Sequence, residues 1–222
     1  MRAFSAILAK DLRVELRTLQ SVPGMVLFAV TTFVLFRFGL DRTSLEGDLA
    51  AGVLLATVLF AAILAVNRLF VAERDQGGLD AIRLAPVDAT SLLAAKATAL
   101  VVYLLVLEAV TLPVFAVFFL DSWAALPPLM LVLVLADVGL AATGALISSL
   151  ATGSRARDLL VPLVLLPLLV PLMIAAAGAA EPLLAAGGPE YGRVASWLAV
   201  LGLYDVVFLL VGYGVFDFVL ED

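Results

Sequence analysis

Residues 159–180 read LLVPLVLLPLLVPLMIAAAGAA. No side chain in this run carries a charge. At a rise of about 1.5 Å per residue, a helix of this length covers about 33 Å, enough for the hydrocarbon core of a bilayer. The run is apolar on every position rather than on alternate ones, so it reads as a spanning helix and not as a barrel strand. Pro162, Pro167 and Pro171 each remove a helix hydrogen bond and press on the carbonyl one turn back. Together they predict a kinked or broken span, tolerated where neighbours or water satisfy the freed carbonyls. A moving, substrate-facing helix and a statically bent packing helix both fit these prolines.

Five more runs of span length surround this one, giving Val22–Leu40, Leu49–Val66, Thr98–Leu120, Leu129–Leu150, Leu159–Ala180 and Val194–Phe216. Backbone in lipid must satisfy its own hydrogen bonds, so each run is expected to be a helix. The whole composition agrees. The chain is 64% hydrophobic and 14% charged, where a soluble domain carries roughly 25% charge. The expected fold is an all-α integral membrane protein, residues 1–222 forming a single transmembrane domain of about six spans.

Composition also narrows the chemistry. The chain has no cysteine and no histidine. That removes disulfides, Cys or His metal sites, Cys-His and Ser-His nucleophiles, and haem ligation by His or Cys. Four Met and four Tyr remain as weaker axial donors. No Walker A pattern occurs, so a P-loop for ATP is lacking. The net charge of −6 argues against nucleic-acid binding. The charged stretch from Phe4 to Leu19 is no secretory signal, because no uninterrupted apolar region lies within it.

Lys and Arg set the expected orientation. Arg2, Lys10, Arg13, Arg17, Arg68, Arg74, Arg83, Lys96, Arg155 and Arg157 all fall on one side, against Arg37, Arg42 and Arg193 on the other. The basic side is cytoplasmic, which places both termini in the cytoplasm. The opposite loops are acidic, with Asp41, Glu46, Asp48, Asp121, Glu181 and Glu190. Trp123 and Trp197 lie near the outer ends of spans, as interfacial aromatics do. Glu181 to Arg193, with Gly187-Gly188-Pro189, reads as an outer turn or a re-entrant cap.

Residues 1–20 are amphipathic. Phe4, Ile7, Leu8, Leu12, Leu16 and Leu19 fall on one helical arc, and Arg2, Lys10, Arg13 and Arg17 on the opposite one. This pattern predicts a helix lying in the inner interface. Asp11 and Glu15 break it by projecting within the apolar arc. Local pairing or snorkelling explains them, and so does contact with a protein partner.

The longest polar stretch, ERDQGGLDAIRLAP at 73–86 followed by residues up to Lys96, is assigned to the basic side. Gly77-Gly78 breaks the chain. Leu79, Ile82 and Leu84 form the apolar side of a short helix that Pro86 stops, and Asp88 or Thr90 caps a second helix running into the third span. Such a knob suits presentation to a cytosolic protein as well as it suits an ordinary solvated connector.

Glu108, Asp137 and Asp205 fall inside spans at similar depth, near the midplane. A charge there costs roughly 2.5–3.5 kcal/mol on insertion scales, so all three should face the bundle interior or a polar cavity. Bonding to neighbours such as Tyr103, Thr143 or Tyr204, or protonation, is one reading. A transport-pathway or gating role is the other.

Three stretches carry a family resemblance. AKDLRVELRT at 9–18 resembles the N-terminal interfacial helix of cytochrome c maturation protein B, the haem exporter B (CcmB) permeases of the ABC type, with Asp11, Arg13, Glu15 and Arg17 at matching places. FVAERDQGGLDAIRLAPVDATSLLAAK at 70–96 resembles the family's first cytoplasmic loop. GALISSLATGSRARDLLVPLVLLPLLVPLMI at 144–174 resembles its fourth-to-fifth span region, all three prolines included. The resemblance runs along nearly the whole chain. One departure is the acid that usually follows the loop glycine; here it is Asp80, after an added Gly-Leu pair.

The resemblance implies an ABC-2-type permease-like fold in the cell (inner/cytoplasmic) membrane, with residues 71–97 as the loop coupled to an ATPase. Glu73, Arg74, Asp75, Gly77, Gly78, Asp80, Pro86 and Lys96 are its implied coupling residues. The implied partners are a cytosolic ATPase subunit that carries the ATP, a second copy of this chain, a haem-handling membrane protein and a haem chaperone. Haem would be cargo of the complex and not a cofactor bound by this chain. Two other functions fit the residues: an ABC-2-type exporter of a lipid or drug, and a non-transporting scaffold of a haem-transfer complex. A membrane-embedded enzyme lacks a constellation to carry its chemistry.

Overall fold

The computed structural model describes residues 2–39, 44–71, 88–120, 123–151, 154, 156–186 and 189–221. An amphipathic helix, α1 (Arg2–Thr18), precedes six long helices: α2 (Val22–Gly39), α3 (Gly47–Arg68), α4 (Ala89–Phe119), α5 (Leu126–Leu150), α6 (Arg157–Ala180) and α7 (Val194–Glu221). All six are long and apolar enough to cross a membrane. Short 3-10 turns at Trp123–Ala125, Glu181–Leu183 and Tyr191–Arg193 complete the described structure.

The expected spans match these helices within a few residues. The third span, placed from Thr98, is continuous with the helix expected to run into it from a cap at Asp88 or Thr90: α4 begins at Ala89, behind Asp88, and runs unbroken for 31 residues. The leading segment ATSLLAAK is rich in Ala and Leu, good helix formers, and a tertiary contact described below buries its single charge. Asp88 stands at the N-cap position with extended backbone. Its carboxylate accepts from Ser91 Oγ at 3.3 Å rather than from a backbone N–H.

The proline-rich span is also one continuous helix, not a broken one. Val161, Leu165, Leu169, Leu172 and Ala176 form a fully buried stripe at helical spacing. The prolines fall off that stripe: Pro162 is half-buried, and Pro167 and Pro171 are exposed. Their rings therefore lie on the apolar flank of the bundle and not on a surface facing its interior.

Contacts between loops define two ends. At one, Leu45 N–H donates to the Phe119 carbonyl at 3.2 Å and Gly47 N–H to the Leu184 carbonyl at 2.7 Å. Gly47 adopts φ +52°, a left-handed conformation that glycine takes without steric cost. The Glu190 N–H closes on the Pro182 carbonyl at 2.8 Å, and Arg193 pairs with Glu181 at 3.5 Å. The 3-10 turns Glu181–Leu183 and Tyr191–Arg193 are thus held close to each other. Phe33, Phe115 and Phe119 pack near this end with ring centroids 5.3–6.1 Å apart. At the opposite, basic end lie α1, Arg68, Lys96 and Arg157.

Helices α3 and α5 occupy the centre, where most of their residues are buried. Gly144 of α5 meets Val66 of α3 so closely that a Cβ would lie 2.8 Å from Val66 Cγ2. Helices α2 and α7 are peripheral. Their outer faces, with Leu27, Leu35 and Phe38 on α2 and Leu203, Val206 and Leu210 on α7, stay exposed, as faces toward lipid tails do.

Candidate functional site

Lys96 organises the basic end. It is 2% exposed. Its ammonium lies 3.0 Å from Asp11 Oδ2, donates to the Leu69 carbonyl at 3.0 Å and sits 5.2 Å from the centroid of the Phe70 ring. A lysine is tolerated at such depth only with a countercharge and satisfied donors. Leu69 is the C-cap of α3, where unsatisfied carbonyls favour a cation. One side chain thereby ties α1, the end of α3 and the first turns of α4. The Tyr103 hydroxyl adds a donation to the Asp11 carbonyl at 3.3 Å.

Asp11 and Glu15, the two anomalies of the amphipathic pattern, are both buried and both used within the chain. Glu15 Oε1 accepts from the Ser21 and Val22 N–H groups at 2.8 and 2.9 Å, satisfying donors at the start of α2. Between α1 and α2 the chain turns through Leu19 at φ +49°. Arg13 and Arg17 of the same helix lie outside that buried set, at exposed positions.

Arg157 makes a second tie that the sequence did not single out. It is 2% exposed. Its Nη2 donates to Ser148 Oγ at 2.7 Å, and Ser148 Oγ donates to the Val66 carbonyl at 3.1 Å. The starts and ends of α6, α5 and α3 are linked by this relay. In the run SRAR nothing distinguishes Arg157 from Arg155; only the tertiary position of Ser148 does.

The ends of the segment between α3 and α4 are therefore held by buried polar contacts. The segment itself, with Glu73, Arg74, Asp75, Gly77, Gly78, Asp80, Pro86 and the short helix expected over 79–84, lies outside the described residues, as do Arg42, Asp121, Arg155 and Gly187-Gly188.

The intramembrane acids divide into a pair and a single residue. Glu108 of α4 and Asp137 of α5 are 0% and 1% exposed and lie beside each other at the seam of the two helices. No described residue donates to either Glu108 oxygen or to Asp137 Oδ2. Asp205 stands apart, and no cluster of three acids forms among the described residues. Asp205 packs on Gly139, where a Cβ would lie 2.5 Å from Asp205 Oδ1 and 2.9 Å from both Leu172 Cδ1 and Tyr204 Cδ1.

The expected hydroxyl partners of the acids are engaged elsewhere. Tyr103 bonds to Asp11. Tyr204 lies 3.1 Å from Thr143 Oγ1 and donates to the Leu168 carbonyl at 3.0 Å, joining α7, α5 and α6 at the stretch between Pro167 and Pro171. This arrangement offers a buried carboxyl pair at the α4–α5 seam and a hydroxyl bridge across three helices.

With this geometry in view, the comparisons with known proteins are direct. The family model described as CcmB protein matches residues 2–218. Heme exporter protein B of Bradyrhizobium diazoefficiens is 29% identical over 208 residues, which cover 93% of this chain and 93% of that protein.

Proposed function

Since the chain belongs to the CcmB protein family, a family of multi-pass membrane permeases, we propose that it is the membrane subunit of an ATP-driven complex that exports or handles haem for cytochrome c maturation. The family match along residues 2–218 carries this reading. The similar protein's name, Heme exporter protein B, supplies the cargo. In this reading the chain lies in the inner (cytoplasmic) membrane with its basic end facing the cytoplasm, and the ATP sits on a separate cytosolic subunit. A second copy of the chain, a haem-handling membrane protein and a haem chaperone complete the assembly.

The proposed mechanism is mechanical. The ATPase moves the loop within residues 71–97, with Glu73, Arg74, Asp75, Gly77, Gly78, Asp80 and Pro86 as its contact residues. Lys96 passes that movement to α1 through Asp11 and to α3 through the Leu69 carbonyl. Work is extracted only where contacts differ between the ATP-bound and ATP-free states. A buried ion pair at the root of the loop favours rigid transmission. The Glu108–Asp137 pair at the α4–α5 seam and Asp205 at α5–α7 are the pathway or gating groups. Haem is cargo held elsewhere in the complex, in keeping with a chain without His or Cys.

The test is purification of the chain from its native membrane with its partners, followed by ATPase assay with Asp75 and Asp80 replaced by Ala. Co-purification of an ATPase and a haem-handling protein, with activity lost in the variant, is the expected result. An ATPase without haem partners transfers the chain to another cargo. Absence of any ATPase overturns the coupling mechanism and leaves a scaffold.

A further inference from the structure

A cavity of about 350 Å³ opens at the basic end, between the α1–α2 turn, the last turns of α3 and the first turn of α6. Its volume is in the range of small-molecule sites. Five polar residues line it: Gln20, Ser21, Asn67, Arg68 and Asp158. Arg68 reaches it with one nitrogen, Nη1, donating to the Gln20 carbonyl at 2.6 Å. Asp158 stands on the α6 side, with no ion pair to Arg68 or to any other described residue. The Oδ1 atom of Asn67 is buried and receives no donor from a described residue.

Opposite charges that share a cavity without pairing leave room for a bridging group. The guanidinium needs an anion, and a carboxylate with an amide oxygen needs N–H donors. The cavity also has an apolar exit. Leu64 lines it, and Phe28, Phe60, Leu64 and Leu163 are exposed along the membrane-facing sides of α2, α3 and α6. Gly24 leaves its floor open, since a Cβ there would meet nothing within 4 Å. The level is that of the amphipathic α1, the headgroup zone of the leaflet.

The geometry points to a binding site for one phospholipid whose headgroup carries a phosphate and a primary ammonium. The phosphate sits on Arg68, the ammonium donates to Asp158 and Asn67 Oδ1, and the acyl chains follow the apolar sides of α2 and α3. An ammonium with N–H donors is required, because a quaternary ammonium cannot hydrogen-bond to either acceptor.

The full-length chain, purified in detergent, is titrated with dioleoyl phosphatidylethanolamine, phosphatidylcholine and phosphatidylglycerol, and bound lipid is counted by native mass spectrometry. The ethanolamine lipid is expected to be retained about tenfold more tightly than the choline lipid, the size of one charge-assisted hydrogen bond. Asp158→Asn removes that preference while leaving choline lipid binding in place. Gly24→Leu, which fills open space in a helix and leaves every charge intact, abolishes binding of both. Equal retention of the ethanolamine and choline lipids identifies ordinary annular lipid and overturns the proposal. So does preference for phosphatidylglycerol, or indifference to both substitutions in variants that elute as the wild type does.

Discussion

Asp11 and Lys96 form a buried ion pair, 3.0 Å between Oδ2 and Nζ, that joins the interfacial helix to the first turns of α4. The lysine is the more deeply enclosed of the two, at 2% side-chain exposure against 9%. Removing one partner of such a pair strands the other, at a cost of about 3–5 kcal/mol. Asp11→Leu and Lys96→Met are each expected to lower the midpoint of thermal unfolding in detergent by several degrees. The double variant, with neither charge left buried, should recover part of the loss. A double variant as unstable as the sum of the singles would show that the two residues act independently.

The six spans were legible because run length and hydropathy are local properties, and a bilayer imposes the same solution on every run. The start of α4 was legible too, from its cap at Asp88. The burial of its first turns was not, because Lys96 interrupts the hydropathy of 89–97 and only its pairing with Asp11 and the Leu69 carbonyl makes the segment a buried helix. The same contact resolves the anomaly of Asp11. From the amphipathic pattern alone, a partner in another protein and a partner in the same chain look identical. The prolines left a moving helix and a bent packing helix open from the sequence. The buried stripe Val161, Leu165, Leu169, Leu172 holds α6 continuous with Pro167 and Pro171 turned outward.

The intramembrane acids separate by partner and not by depth. Glu108 and Asp137 lie side by side with no described donor to either Glu108 oxygen, so Glu108→Gln supplies an amide donor for Asp137 and should leave the fold intact. Stability in detergent is expected to change by less than about 1 kcal/mol. If the pair is a pathway element, haem attachment to apocytochrome c in cells carrying only this variant falls sharply even though the protein accumulates normally. Wild-type levels of attached haem in Glu108→Gln, Asp137→Asn and Asp205→Asn alike would remove the pathway role from all three acids.

Gly139 was invisible in the sequence among the other small residues of α5, yet it lets Asp205 and Tyr204 approach that helix. A methyl group at residue 139 would press on Asp205 Oδ1, Leu172 Cδ1 and Tyr204 Cδ1 together. Overpacking of this sort costs about 1–3 kcal/mol. Gly139→Ala is therefore expected to lower the unfolding midpoint measurably. Asp205→Ala in the same chain relieves only the closest of the three contacts, so the rescue should be partial. Full stability of Gly139→Ala alone would mean that α5 and α7 separate easily at this crossing.

Tyr204 offers the cleanest single-atom test, because its ring and its hydroxyl do different things. The ring stacks on Phe208 with centroids 4.4 Å apart and would remain in Tyr204→Phe. Only the hydroxyl link from Thr143 on α5 to the Leu168 carbonyl on α6 is lost. A net hydrogen bond contributes about 0.5–1.5 kcal/mol, and a buried group left unsatisfied adds to that. Thr143 Oγ1 is then free to donate its one proton to the carbonyl of Gly139, 2.8 Å away, so the loss should stay near the lower figure. Amide hydrogen exchange is the informative measurement. Protection should fall in α6 around Pro167–Pro171, where proline has already thinned the backbone ladder, and hold steady in the core of α3. Uniform loosening of all helices would instead show that the hydroxyl bridge supports the bundle as a whole.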